Sequence, residues 1–296
     1  MESFGRAAVC GVVFLCLFLS GCANKGYVEY QAYNSSFDLQ YQQADRVLSS
    51  LAIAERKVYK KSNPNNFIVF DPNKAGYYLD TIEPPITSSL RKSLLAVKAY
   101  NAVLMSLANG EAADAYTAKV GGAITDTAAA IAAAAITVQG PDDAKAAEKF
   151  MNQVGGNLAK AMPGLKAASR LRGQQAFRTL LDQTHGRMDD ALNTLIQGTP
   201  DFYRLFVAAR AKTEGGAKTD ASFTPDDLAV LEREQTEMAG WVLMLKAARA
   251  ALSAAADAVA SRTDVTDITA LAGTASDVRV LAEQLKAARL SQGGKQ

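Results

Sequence analysis

The chain has 296 residues, with 32 basic and 30 acidic side chains and a formal net charge of +2. Since no basic block stands out along it, we expect no nucleic-acid partner. Alanine dominates the apolar residues, and aromatic residues make up only 7%. This composition favours helices over strands, because alanine has the highest helix propensity and is depleted from sheets. We therefore predict an all-α fold, in the form of an elongated multi-helix bundle.

The first 22 residues carry a targeting pattern. Residues 7–18 are almost wholly apolar and are followed by the sequence LSGC at positions 19–22. The apolar run has the length of a signal peptide and is too short to span a bilayer, which takes about 20 residues. LSGC resembles the lipobox of bacterial lipoproteins. The resemblance implies cleavage between Gly21 and Cys22, followed by acylation of Cys22. An uncleaved apolar anchor is the alternative.

The resemblance also implies a location. Lipoproteins carry three acyl chains on the cysteine, and stable attachment to a membrane takes at least two. In this class an aspartate after the cysteine favours the inner membrane. Here the residue is Ala23, which points to the inner leaflet of the outer membrane, facing the periplasm. All three cysteines lie within the first 22 residues, so we expect no disulfide and no thiol chemistry in the body.

We divide the chain into five parts. They are a signal peptide at 1–21, a lipidated tether at 22–34, a helical bundle at 35–211, a linker or loop at 212–223, and a long helical hairpin at 224–296 that packs on the bundle. A capping box formed by Ser35 and Asp38 predicts that the first helix begins at Ser35 and runs to about Lys60. Its apolar stripe is interrupted only by Glu55.

The segment at 61–85 breaks the helical pattern with turn signals and carries four aromatic residues. It predicts either a small hairpin or a long ordered loop packed on the bundle. Long ordered loops are often functional, so we take this one as a candidate recognition loop. Its candidate residues are Phe67, Phe70, Tyr77 and Tyr78. The alternative is that these rings merely cap the end of the bundle.

Proline, glycine and polar interruptions divide the rest of the chain into further predicted helices. They cover about 85–109, ending at Gly110; 111–138, with an alanine-rich second half; Pro141 to about 162; 165–196, as one helix or as two divided near Gly186; a helix from Thr199; a long helix from Pro225, capped by Thr224; and about 266–290. Trp241, inside the long helix, is expected to line the core or a groove.

The residues that carry chemistry are few. His185 is the only histidine, and we expect it to lie at a helix end or on the surface, with Asp182 on the same helix face. One histidine supplies neither a zinc site nor the paired Glu-x-x-His units of a di-iron bundle. The stretch at 215–219, GGAKT, departs from a phosphate loop at its glycines, and no Gly-x-Ser-x-Gly elbow is present. We expect no enzymatic activity, no metal and no cofactor.

These patterns lead to two functional hypotheses. The first is a lipid-anchored, periplasm-facing helical protein that acts as a structural or accessory partner in a cell-envelope assembly. The second is a binding protein for an apolar or amphipathic ligand, a lipid or a peptide, held between its helices. A closed core with an exposed apolar patch would favour the first, and an apolar cavity would favour the second.

Overall fold

A computed structural model describes residues 26–64, 68, 70–111, 117–126, 129, 152–157, 159–161, 163–164, 167, 173–211, 223–260 and 280. These residues form helices and connecting turns without a strand, which confirms the predicted all-α, multi-helix fold. The elements are α1 (Tyr27–Ser62), a 3₁₀ turn (Pro72–Lys74), α2 (Ala75–Tyr78), α3 (Pro85–Ala108), α4 (Gln174–Gln197), α5 (Thr199–Arg210) and α6 (Pro225–Ala260). Residues 117–126 and 152–157 are also helical.

The four long helices α1, α3, α4 and α6 form an antiparallel bundle. Helix α1 packs against α3 and α6, and α4 packs against the same two neighbours. Two hydrogen bonds show that α1 and α3 run in opposite directions. Tyr30, near the start of α1, donates to Asn101, near the end of α3 (3.0 Å), and the Thr87 amide, at the start of α3, donates to Glu55, near the end of α1 (2.9 Å). The short helix α5 packs on α1 and α6.

The core lies along the axis of this bundle and is closed by large side chains. The largest fully buried residues are Trp241, Tyr30, Tyr33, Tyr100, Phe37, Phe177 and Phe202. Trp241 is therefore a core residue. The rings of Tyr30 and Phe177 meet edge to face at 5.3 Å, which brings α1 and α4 together across the axis. Such aromatic pairs add stabilisation beyond the burial of their area.

Helix α1 begins earlier than predicted. The expected start at Ser35 is wrong, because α1 begins at Tyr27, and residues 27–34, assigned to the tether, are helical. Tyr30 and Tyr33 are fully buried and continue the apolar stripe of Phe37 at helical spacing. Ser35 itself is exposed in the middle of the helix. The polar character of the stretch masked its three- and four-residue period.

Several other helix boundaries agree with the prediction. Helix α3 ends next to Gly110, whose φ of 77° suits a glycine after a helix. At the start of α6, Thr224 Oγ1 donates to Asp227 Oδ2 (2.7 Å) and accepts from the Asp227 amide (3.2 Å), which forms the expected cap. Of the two alternatives for 165–196, the structure has a single helix at Gly186, since α4 passes through it without a break.

Other predictions lie outside the described residues, apart from single positions. They concern the signal peptide, the alanine-rich stretch at 127–138, the start at Pro141, the linker at 212–223 and the helix at 266–290. Between α1 and α3, the described residues form turns, the 3₁₀ segment and α2. Of the two alternatives for that segment, they match the ordered loop packed on the bundle.

Candidate functional site

The candidate recognition loop connects α1 to α3 and is built around a buried tyrosine. Tyr77, in α2, is only 2% exposed. Its ring stacks on that of Tyr59 in α1, with centroids 4.2 Å apart and an angle of 14°. The ring of Tyr78 meets Tyr59 from another side at 6.4 Å. The base of the loop is thus attached to the last two turns of α1.

The hydroxyl of Tyr77 donates a hydrogen bond to the carboxylate of Glu55, a charged side chain of α1 that is buried. Glu55 accepts four hydrogen bonds, from Tyr77 Oη (3.0 Å), the Ile86 amide (3.0 Å), the Thr87 amide (2.9 Å) and Thr87 Oγ1 (2.8 Å). Burial raises the pKa of Glu55, and the four hydrogen bonds oppose that rise because they favour the charged form. We refer to Glu55, Tyr77, Ile86 and Thr87 as the Glu55 network.

This network caps α3 from another helix. The residue before α3 is Pro84, which provides no side-chain cap, so the first amides of α3 need acceptors from elsewhere. A carboxylate at this position also interacts favourably with the positive end of the helix dipole. In the sequence Glu55 was only an interruption of an apolar stripe. Two features of the sequence indicate the Glu55 network. One is a glutamate on the buried face of α1, and the other is a helix that begins at Pro85, after Pro84, without a capping side chain.

Two arginines hold the rest of the loop. Arg56, on α1, is 5% exposed and donates to the carbonyl of Ile82. Arg91, on α3, donates from Nε to Glu83 Oε1 and from Nη1 to Asp45 Oδ1, both at 2.6 Å. The pKa of Arg91 is raised by these two carboxylates, against the opposing effect of burial. Charge-assisted hydrogen bonds of this length are among the stronger polar contacts in proteins.

On this base the loop exposes apolar side chains. Ile68 is 71% exposed, Phe70 75%, Leu79 51% and Ile82 48%. We name these four residues the apolar tip. The ring of Phe70 rests against Tyr78 at 5.5 Å. Large exposed apolar side chains on a rigid support are characteristic of surfaces that contact another molecule.

The predicted loop residues therefore differ in their exposure to solvent. Phe70 is exposed, Tyr78 is half-buried between Phe70 and Tyr59, and Tyr77 belongs to the interior. Phe67 lies outside the described residues, as do Gly21 and Cys22. Leu79 and Ile82 belong to the apolar tip, but the sequence reasoning missed them because it followed only the aromatic side chains.

The other predicted residues lie elsewhere. His185 was predicted at a helix end or on the surface; it lies within α4, away from either end, and its side chain is partly exposed. Its Nδ1 lies 3.1 Å from the carbonyl oxygen of Leu181 and 3.0 Å from that of Asp182. The ring is therefore bound to its own helix backbone and not to the Asp182 carboxylate.

The described part of the chain carries neither a metal-binding cluster nor a membrane-spanning helix. It holds no group of three or more His, Cys, Asp or Glu side chains placed to bind a metal ion. Within the same residues, no helix is both long and apolar enough to cross a membrane.

No protein-family model, curated protein or solved structure matches this chain.

Proposed function

We propose that this chain is a lipid-anchored protein of a bacterial cell envelope that docks a periplasm-facing partner protein through its apolar tip. The observation that carries the proposal is the contrast between the buried aromatic core and four exposed apolar side chains on the loop between α1 and α3. Apolar surface of this kind gains free energy when a partner removes it from water, at about 25 cal/mol per Å².

The LSGC sequence supports the anchoring half of the proposal. Cys22 lies four residues before Gly26, where the described chain begins. Acylation of Cys22 would therefore hold the start of α1 close to the membrane surface. This end of α1 is also the end at which Tyr27 donates to Asn109 of the α3 terminus, so both helix ends would face the membrane.

The length of α1 argues for a protein partner over the protein's own membrane. The apolar tip is attached near Arg56 and Tyr59, about 30 residues along α1 from Tyr27. At 1.5 Å per residue, this separates the tip from the anchored end by about 45 Å. A bundle standing on its anchor would thus carry the tip into the periplasm.

Site-specific photocrosslinking in the native envelope tests the docking. A photoreactive phenylalanine analogue replaces Phe70, and in a matched control it replaces Leu243, an apolar residue of α6 that is 49% exposed. We expect one defined crosslinked partner from position 70, its loss on changing Leu79→Ser and Ile82→Ser, and no such product from position 243. The same product from position 243, or none from position 70, would contradict the docking surface.

Two further measurements test the lipid anchor and the apolar tip independently. Palmitate labelling should be lost in Cys22→Ala; unchanged labelling would rule out the lipobox. A chain that begins at Ala23, and so lacks both the apolar run and the acyl chains, should not float with phosphatidylethanolamine–phosphatidylglycerol vesicles. If it floated and Phe70→Ser prevented this, the apolar tip would be a membrane contact instead.

A further inference from the structure

A second surface feature lies on the side of α1 that faces α5 and α6. These three helices leave a cleft of about 170 Å³ between them. Its apolar floor is made by Ala54, Phe206, Ala209 and Leu231, all of them buried. Ile53, which is 54% exposed, extends this apolar surface at the mouth of the cleft.

The rim of the cleft is positively charged. Each of the three helices contributes one cation: Lys57 from α1, Arg210 from α5 and Arg233 from α6. Arg210 is partly compensated by Asp227, with 3.7 Å between Nη1 and Oδ1. Glu234 also lines the cleft, and its carboxylate oxygen Oε1 lies 3.9 Å from Arg233 Nη2.

The lining carries the three cations against the one carboxylate of Glu234. Its side chain is largely buried, and burial raises its pKa, as does the neighbouring Glu237, against the opposing effects of Arg233, Arg210 and a hydrogen bond from Ser50. A further cation, Lys61, lies close by and donates from Nζ to the carbonyl oxygens of Ala209 and Ala211, both at 2.8 Å. The cleft thus combines an apolar floor with an excess of cations.

We propose that this cleft binds the carboxylate and first carbons of an acyl chain, as in a medium-chain fatty acid. Guanidinium groups match the planar carboxylate through paired hydrogen bonds, which favours Arg210 and Arg233 as its ligands, with Lys57 as a third charge. The floor accepts the carbons next to the head group. Because ligand sites commonly measure about 300–1,000 Å³, this smaller cleft leaves the rest of the chain to lie over Ile53.

The cleft is separate from the Glu55 network, because Ile53 and Lys57 line the side of α1 opposite to Glu55. A free inorganic anion is the weaker candidate, since it would leave the apolar floor unused. A wholly apolar ligand is also weaker, since it would remove water from three cations without pairing them.

Calorimetric titration with decanoate tests the proposal, on a chain that begins at Ala23 and therefore retains every described residue without the apolar run. We expect saturable binding of one decanoate per chain. Acetate has the carboxylate without the chain, and decanol has the chain without the charge, so each should bind at least tenfold more weakly. Equal binding of decanol would identify nonspecific apolar association, equal binding of acetate an adventitious anion site, and no binding of decanoate would overturn the assignment.

Three variants locate the site. Arg233→Ala should weaken decanoate binding about tenfold or more, because losing a charge-assisted hydrogen bond costs about 1.5–3 kcal/mol and 1.4 kcal/mol is tenfold. Arg187→Ala, which removes an arginine of similar exposure from α4, should leave it unchanged. Glu234→Gln should strengthen binding severalfold, since it removes the like charge.

The opposite signs expected for Arg233→Ala and Glu234→Gln distinguish a binding site from a general loss of structure, which would weaken binding in both. Urea unfolding of each variant shows whether the fold is intact. Unchanged binding in Arg233→Ala, or weaker binding in an intact Glu234→Gln protein, would contradict the proposal.

Discussion

Replacing Glu55 by leucine should be among the most destabilising single changes near the apolar tip. The substitution keeps a side chain of similar size but removes the acceptor of four hydrogen bonds. Leaving each donor unpaired costs about 1–3 kcal/mol, so about 4 kcal/mol is the lower end for four. Relief of the buried charge offsets part of this. We expect a loss of about 3 kcal/mol in the free energy of unfolding.

Urea unfolding followed by circular dichroism measures this loss, provided that the m-value is unchanged. Glu232→Leu, at an exposed position of α6, is the matched control and should stay within about 0.5 kcal/mol of the original chain. Tyr77→Phe removes one donor together with its bond and should cost only about 1 kcal/mol. A loss below about 1 kcal/mol for Glu55→Leu would refute the idea that the Glu55 network holds α3 and the loop together.

The same residue makes a prediction about pH. The pKa of Glu55 in the folded chain is raised above its ordinary value of 4.5, so the folded state binds more protons than the unfolded state between those two values. Stability contributed by Glu55 is therefore present below pH 4.5 and is lost as pH rises through the raised pKa. The difference in unfolding free energy between the original chain and Glu55→Gln should fall over this window. A difference that rises with pH would show that the hydrogen bonds outweigh burial.

Two further predictions concern the packing of the long helices. Gly26 has a φ of 81°, and a Cβ there would overlap Val259 Cγ2, so Gly26→Ala should cost about 2–4 kcal/mol. Gly110→Ala has a similar φ of 77° but open space around it and should cost only about 1–2 kcal/mol; equal thermal shifts for both would contradict the close contact. Arg249 pairs with both oxygens of Asp189 (2.7 and 2.6 Å), so Arg249→Lys should lose about 1 kcal/mol in urea unfolding, whereas an unchanged midpoint would show that the paired geometry is unimportant.

The predicted helices agree with the structure where the governing interactions are local. The apolar period of α3, the glycine after it and the capping box at Thr224 all act within a few residues of the chain. Where local signals conflicted, the prediction failed. Ser35 with Asp38 has the pattern of a helix cap, but Asp38 instead forms an ion pair with Lys98 of α3, at 3.0 Å.

Only part of the candidate site could be predicted from the sequence, because contacts with residues distant along the chain decide the rest. A cluster of aromatic residues in a connecting segment indicates that the segment packs or binds, but it does not tell which ring faces inward. That choice depends on Tyr59 and Glu55, about 20 residues earlier, which receive the ring and the hydroxyl of Tyr77. Phe70 has the same aromatic character and remains exposed.

The amino-acid sequence by itself determined that the body is helical and where most of its described long helices end, because helical period and caps depend on neighbours within about four residues. Only the tertiary structure decided what each helix face meets. Glu55 is an interruption in a one-dimensional pattern and becomes the cap of another helix when α1 and α3 pack. Likewise, Lys57, Arg210 and Arg233 are scattered along the chain and share one cleft because three helices converge there. Such groupings arise from the packing of distant segments, which local sequence periodicity does not encode.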